Sequence, residues 1–549
     1  MIPQFTVLVL ILAVVAALIA LDIWNRIKLR RYVQRSWGKI PHQPRFDKED
    51  SLKKAWQIEK NFQQFDSEID DITWYDLDGF HLFEAINLTY SSVGSEALYQ
   101  QLRNYQFKED SQLQELITFF AQNHSAREQS QYTFARLGKQ DHNFSKSYLA
   151  QEAAPSIGSL PLFICLGLLP FIGLLLFAIG IPVGLILTIG GILFNTIYYS
   201  IKKARLETEL NSMRYLVQTI ASGNQIAKIA TPLQQEVKDA LKPLKNIPRF
   251  GLSFRAKDGS DGDMLFEYIS IFFMLPFISY QSVTSTLAKH HDDAIRLWDL
   301  LGKLEVAAAI LNFRTYMPIT CIPDFQEGSV VSSGSYHPLL KEAVMNDVDW
   351  GHNTLVTGAN ASGKSTYVKS IAINCWLSQT IYTAVAETFT LAPGHVITSM
   401  AVEDDLFEGD SYFVAEIKSI KRLLDQVATK ERCYCFIDEI LKGTNTVERI
   451  AASSSIIHWL SGYPSLAFVA THDIELTEIL KQDCRNIHFS EQVTADDGIS
   501  FDYKVKTGAA KSRNAIALLG VLGYPQTIVA DANHAAAIFD DTRTWSNLE

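Results

Sequence analysis

Lys364 and Ser365 stand near the end of Val356–Thr366, VTGANASGKST, in which Gly358 and Gly363 enclose four residues. A phosphate-binding loop needs that spacing. Glycines let the backbone curl so that several N–H groups face one anion, and the positive end of the following helix faces it too. Lys364 can then reach the β- and γ-phosphates of a nucleotide. The Ser365 hydroxyl is placed to bind Mg²⁺, and Thr366 completes the cofactor-binding stretch. Downstream, the run Cys433-Tyr-Cys-Phe-Ile437 ends in Asp438-Glu439. An acidic pair at the end of a buried strand suits a metal-holding carboxylate, Asp438, beside a base, Glu439, that orients or deprotonates water. A further strand, Leu466–Ala470, ends in Thr471-His472-Asp473. A lone histidine is more often structural, but after the loop and the acidic strand it reads as a sensor of the terminal phosphate. Together these residues predict Mg²⁺-dependent ATP hydrolysis.

The elements that must position them begin near Gln326, where short apolar strands alternate with helices in the α/β pattern. The first half has another texture. Met1–Leu21 carries no charged side chain, is long enough to cross a bilayer, and precedes Arg26, Lys28, Arg30, Arg31 and Arg35. The positive-inside rule then puts the N-terminus outside and the chain after Leu21 in the cytosol. Ala153 to Ile201 is a run of 49 residues without a charge, enough for two spans with a bend at Gly180-Ile181-Pro182. Lys202, Lys203 and Arg205 come next, on the cytosolic side. Ile269–Ile278 is apolar but too short to span, so it reads as a core helix. Lys238, Lys242, Lys245, Arg249, Arg255 and Lys257 form a loose basic cluster of the kind that is solvated or rests on anionic headgroups.

Composition narrows the function. With 49 basic against 60 acidic residues and a net charge of −11, the surface is not basic overall. Any DNA contact would need a local patch. The six cysteines form no CxxC pair and no zinc spacing, so they read as reduced thiols.

Taken in order, these motifs resemble those of the MutS mismatch-repair ATPase family. His337-Pro338 and Asn346-Asp347 precede the phosphate loop, as the family's HP…ND lead-in does. Asn360 matches the family's phosphate-loop asparagine. Ser411-Tyr-Phe-Val-Ala-Glu416 is similar to STFMxE, Asp438–Thr446 to DELGRGTST, and Ala470–Leu476 to ATHxxEL. The tail from Tyr503 to Gly508 and from Ser512 to Ala532 resembles the closing helices of the family's dimer. More faintly, Ile69–Thr73, Asn87–Thr89 and Gly94 resemble the start of the helical core, or lever. The resemblance implies a homodimer through the ATPase domains, in which Ser411 of one chain completes the nucleotide site of the other. It also has departures. The mismatch-reading segment has no counterpart, Lys442 replaces an arginine, and Ile440-Leu441 replaces Leu-Gly.

The expected fold is an α/β P-loop NTPase domain of MutS type, preceded by an α-helical lever-like region with three transmembrane helices. The expected boundaries are an anchor at 1–25 and a basic cytosolic linker at 26–65. A helical core-like region at 66–152, a transmembrane hairpin at 153–201 and a lever-like region at 202–325 come after these. The ATPase domain is 326–549. The expected function is a membrane-anchored MutS-like ATPase that hydrolyses ATP at a dimeric composite site and couples it to helical lever movement, with DNA binding in mismatch repair or a related DNA process open and any contacts to double-stranded DNA nonspecific. An ABC-type membrane ATPase acting on a membrane-associated partner without DNA is the alternative. Its LSGGQ-like stretch should precede the acidic strand, whereas the near match Leu460-Ser-Gly462 comes after it.

Overall fold

The computed structural model describes the chain except residues 1–3, 43–46, 141–142, 144, 151–156, 255–267, 360–361, 401–411, 495–497, 511–515, 517–518, 521–522, 543 and 546–549. Its packing divides into two compact units. One comprises 1–64, 86–101 and 110–316; the other comprises 65–85, 102–109 and 317–549.

The C-terminal unit is built on a six-stranded sheet. In chain order its strands are β1 (Thr354–Thr357), β2 (His395–Ser399), β3 (Cys433–Asp438), β4 (Ser465–Ala470), β5 (Arg485–His488) and β6 (Lys506–Thr507). Their order across the sheet is β6-β5-β1-β4-β3-β2, parallel except for β6. Parallel strands are covered on both faces, which is why β1 and β3 read as nearly unbroken buried runs. The helix Lys364–Thr380 is buried along most of its length. Two short pieces from far upstream help to bury it. Trp74 meets Trp376 edge-on at 5.5 Å, and the Trp376 indole donates to the Leu102 carbonyl at 2.7 Å. Asp76 accepts from the Thr398 hydroxyl at 2.5 Å and from the Met400 N–H at 2.9 Å, tying residues 65–85 to the end of β2.

The other unit is helical. Here the faint Asn87–Gly94 signature has a physical cause. Glu305, buried on the helix His291–Tyr316, accepts from the Tyr90 N–H at 2.6 Å and from Ser91, capping the helix Ser92–Arg103. Gly94 leaves room for that carboxylate, because a β-carbon there would collide with Glu305.

Among the described residues, two helices are long and apolar enough to cross a membrane, Leu160–Ala178 and Val183–Arg205. The third expected span, Met1–Leu21, is not among them. Residues 1–3 lie outside the described chain, and the remainder of that stretch is the first half of one helix, Gln4–Ser36. The second half of that helix docks on protein. Val33 is buried, and the Arg30 guanidinium pairs with Glu128 at 2.8 Å, so part of the basic flank contacts the unit itself.

The hairpin turns at Gly180, with φ +89°, where the sequence predicts the bend. Its second helix runs past Ile201, so Lys202, Lys203 and Arg205 form its last turn. Gly173 and Gly184 leave no room for side chains between the two helices, which lets the backbones approach closely. The apolar island at 269–278 is not one helix: it breaks at Met274, φ +54°, before the helix Leu275–Lys289. Phe273 and Phe277 stack on Phe171 and Phe163 of the hairpin.

Candidate functional site

Strand β1 ends at Thr357, and the chain turns at once through Gly358 at φ +140°. A β-carbon on Gly358 would lie 2.6 Å from the Phe489 carbonyl oxygen, so only glycine fits. Gly363, at φ +101°, opens the helix Lys364–Thr380. Lys364 is buried, and its ammonium donates to the carbonyls of Gly358 at 2.7 Å and Ala359 at 2.9 Å, bracing the loop from inside. Ser365 is half-buried and Thr366 exposed on the first helical turn. Asn360 and Ser411 lie outside the described residues.

Strand register brings the other groups alongside. Ala470 of β4 pairs with Val356 of β1 on one side and with Asp438 of β3 on the other. The carboxyl ends of all three strands are therefore level, the place where open α/β sheets bind ligands. Glu439 and His472 leave those ends together. His472 Nε2 lies 3.1 Å from Glu439 Oε1 and 3.4 Å from Lys364 Nζ. The hydrogen bond from His472 holds the Glu439 carboxyl below the usual carboxylate range; partial burial opposes this and Lys442 adds to it. Glu439 is thus the ionised member of the group, the state a base requires.

Four residues of this site carry weight that the motifs alone did not assign. Arg449 binds Asp473 with two hydrogen bonds, 2.9 and 2.7 Å, fixing the turn that carries His472. Lys442 Nζ is 3.4 Å from the second oxygen of Glu439. Asn346 donates to the Tyr503 carbonyl and accepts from the Val505 N–H, both at 2.9 Å. That clamp sets Tyr503 beside Gly363, where a β-carbon would meet the ring at 3.0 Å. A cavity of about 390 Å³ opens there, lined by His337, Asn346, Thr366, Tyr367, Phe489 and Tyr503 among others. Burial, with Lys369 nearby, lowers the His337 imidazole to about 4, so it is neutral at pH 7. Sequence spacing signalled the Asn346 position; the tail resemblance took in Tyr503 but gave it no place at the nucleotide loop, and nothing marked Arg449, because both roles depend on long-range contacts.

Residues 354–540 match the model of MutS domain V. Over these residues the chain is similar to the MutS family. It is 26% identical over 288 residues to the DNA mismatch repair protein MutS of Fusobacterium nucleatum, covering 50% of this chain and 31% of that protein. It is 28% identical over 253 residues to MutS of Natronomonas pharaonis, covering 44% and 28% of the two chains. MutS protein homolog 4 of Homo sapiens is 28% identical over 275 residues, 46% of this chain and 29% of that protein. The chain spans less than a third of the length of these relatives. MutS domain V is a P-loop ATPase-type domain, in accord with the parallel sheet, glycine loop and buried helix of the C-terminal unit.

The donor set fits a nucleotide. Besides Lys364, the loop carries Ser362, which is 1% exposed and whose hydroxyl has no partner among the described residues, a buried polar group suited to a phosphate oxygen.

Proposed function

We propose that this MutS-family chain is an ATPase attached to a membrane through the hairpin Leu160–Arg205. The observation that carries the catalytic part is the meeting of Lys364, His472 and Glu439 within 3.4 Å at the carboxyl ends of β1, β4 and β3. Gly358, Asn360, Gly363 and Thr366 would cradle the phosphates, with Lys364 against their charge. Ser365 and Asp438 would hold Mg²⁺, which when bound neutralises charge between the β- and γ-phosphates. Glu439 would take the proton of the attacking water, and His472 would orient Glu439 and face the terminal phosphate. The aromatic cavity bounded by Tyr503 and Phe489 is suited to the base. Two such sites would form in a homodimer, each completed by Ser411 of the other chain.

The membrane part rests on exposure. Only 22% of the apolar window of each hairpin helix is buried, and Leu175, Ile186 and Leu193 stand more than half exposed. A soluble core helix would hide such residues. At ~1.5 Å per residue the helices are ~28 and ~34 Å long, close to the bilayer's hydrocarbon thickness. A two-span hairpin returns the chain to its starting side, and the cationic end of Val183–Arg205 puts that side in the cytosol.

Mixing tests the composite site. Lys364→Ala should abolish tight ATP binding in its own site, and Ser411→Ala should cripple the opposite one. In a mixed dimer both defects fall on one nucleotide and the other site is intact. Activity above either parent is expected. Absence of recovery, with chain exchange verified, would remove the shared site. A membrane partner in place of DNA is the second reading, favoured by the hairpin; ATPase rates in nanodiscs with and without duplex DNA separate the two.

A further inference from the structure

We infer that Glu416 is a positioning residue for Glu439: its buried carboxylate pins the turn after β3, and through Lys442 it sets where the Glu439 carboxylate points. This rests on the ATPase reading of the site.

The turn is strained. Glu439 and Leu441 both adopt left-handed backbone, at φ +62° and +57°, within three residues. Neither is glycine, and non-glycine residues in that region are strained and persist only where their surroundings enforce it. In the family pattern a glycine stands where this chain has Leu441, so this chain bears a strain that glycine would relieve.

What enforces the turn is the helix Tyr412–Val427. Glu416, 3% exposed, accepts from the Lys442 N–H at 2.9 Å and faces the Gly443 N–H at 3.5 Å. Gly443 is pressed so close that a β-carbon would lie 3.1 Å from Phe413 on the same helix. From the other side, the Ser453 hydroxyl donates to the Ile440 carbonyl at 3.4 Å, and the Glu439 N–H donates to Ala470 at 2.9 Å. The Lys442 backbone is therefore fixed by Glu416 while its ammonium lies 3.4 Å from Glu439 Oε2. The path is short and continuous: Glu416 carboxylate, Lys442 backbone, Lys442 ammonium, Glu439 carboxylate. A buried carboxylate is a costly way to fasten a loop, since backbone N–H donors must offset its lost hydration. Its position a single lysine away from the proposed base gives that cost a purpose. Displacing the helix Tyr412–Val427 would free the strained turn and swing Glu439 off the water it must activate.

The test compares Glu416→Gln, Lys442→Met and the double variant of the full chain in nanodiscs, reading kcat and ATP Kd separately. Glu416→Gln should lower kcat about tenfold, part of the roughly 10²–10⁴-fold that a well-placed general base contributes, and leave Kd within about threefold, because the phosphate loop is untouched. If Glu416 acts through Lys442, the double variant should be no slower than the slower single one. Should Glu416→Gln fail to fold, Glu416→Asp, which withdraws the carboxylate by one methylene, is read in the same way. Additive losses, or a Kd that rises in step with the fall in kcat, would make Glu416 merely structural and overturn the inference. So would unchanged kcat in Glu416→Gln while Glu439→Gln is inactive. Normal turnover by Glu439→Gln would instead defeat the ATPase reading itself.

Discussion

His472 and Glu439, thirty-three residues apart in sequence, share a hydrogen-bond contact of 3.1 Å because β3 and β4 are adjacent parallel strands ending at the same level. The contact holds the Glu439 carboxyl below the usual carboxylate range, and in the proposed hydrolysis the two residues would divide the labour. Glu439→Gln removes the proton acceptor and should slow turnover by about 10²-fold or more with ATP still bound. His472→Gln keeps a hydrogen-bond donor near Glu439 but no cationic form, so the loss should be smaller. Single-turnover rates on the two variants check the order. A His472→Gln enzyme slower than Glu439→Gln would reverse the roles.

Tyr503 offers a test of the base-side cavity. Its backbone carbonyl is held by Asn346, and Tyr503 lines the cavity together with Thr366. Stacking of aromatic rings contributes roughly 0.5–1.5 kcal/mol beyond area. Tyr503→Ala should raise the ATP Kd by up to about tenfold with kcat nearly unchanged, and discriminate less between ATP and inorganic triphosphate. An unchanged Kd would place the base elsewhere.

Much of this site is readable from sequence because a phosphate loop and an acidic strand are local patterns. Gly358 and Gly363 announce their positive φ, and Cys433–Ile437 announces burial. The rest depends on sequence-distant partners. Residues 65–85 look like part of a helical region, yet Trp74 and Asp76 pack on Trp376 and Thr398 more than 300 positions later. A residue count of apolar side chains foretells the hairpin. The same count could not foresee that Arg30, read as part of a basic cytosolic linker, is engaged by Glu128.

The helical unit carries its own pH dependence. Glu96 is buried, its Oε1 accepts from Asn143 at 3.1 Å, and burial pushes its carboxyl up to about 8 despite Lys146 nearby. Folding therefore keeps it protonated at pH 7, while the unfolded chain ionises it near 4.5. The folded state binds the extra proton, so this group lowers stability progressively as pH rises from about 4.5 to about 8. Glu96→Gln mimics the protonated form and removes that loss. Thermal unfolding should show the variant gaining over wild type more at pH 8.5 than at pH 5.5, values bracketing most of the window at ~1.4 kcal/mol per unit. A gain independent of pH would mean Glu96 is ionised in the folded chain.

For DNA, phosphate contacts are the expectation. The described part of the basic cluster is Lys238, Lys242, Lys245 and Arg249, of which Lys242 is already paired with Asp239 at 2.6 Å. Contacts of this kind neutralise phosphates without reading bases. About four of them should give an affinity that falls roughly 10²-fold between about 50 and 200 mM salt. Matched and mismatched duplexes should compete equally in a filter or fluorescence assay. A mismatch preference at physiological salt would require a groove-entering element in the helical unit.

The hairpin makes the sharpest claim about its surroundings. Pro170 lies inside the helix Leu160–Ala178 and has no N–H to give the Leu166 carbonyl four residues earlier. Asn195, fully buried on the facing helix, donates its amide to that carbonyl at 2.7 Å and fills the gap. In water such a repair matters little, because solvent can serve the carbonyl. In hydrocarbon an unserved carbonyl has no alternative partner, and interhelical hydrogen bonds there are worth about 0.6–2 kcal/mol. Asn195→Leu should therefore destabilise the hairpin by about that amount in nanodiscs. Pro170→Ala restores an N–H at position 170, so Leu166 regains an intrahelical donor. Asn195→Leu made in the Pro170→Ala background should then cost measurably less than in wild type. Helix-pair separation by steric trapping in nanodiscs reads both costs. Equal costs in the two backgrounds would mean that Asn195 serves packing alone and that the proline gap is repaired by other means.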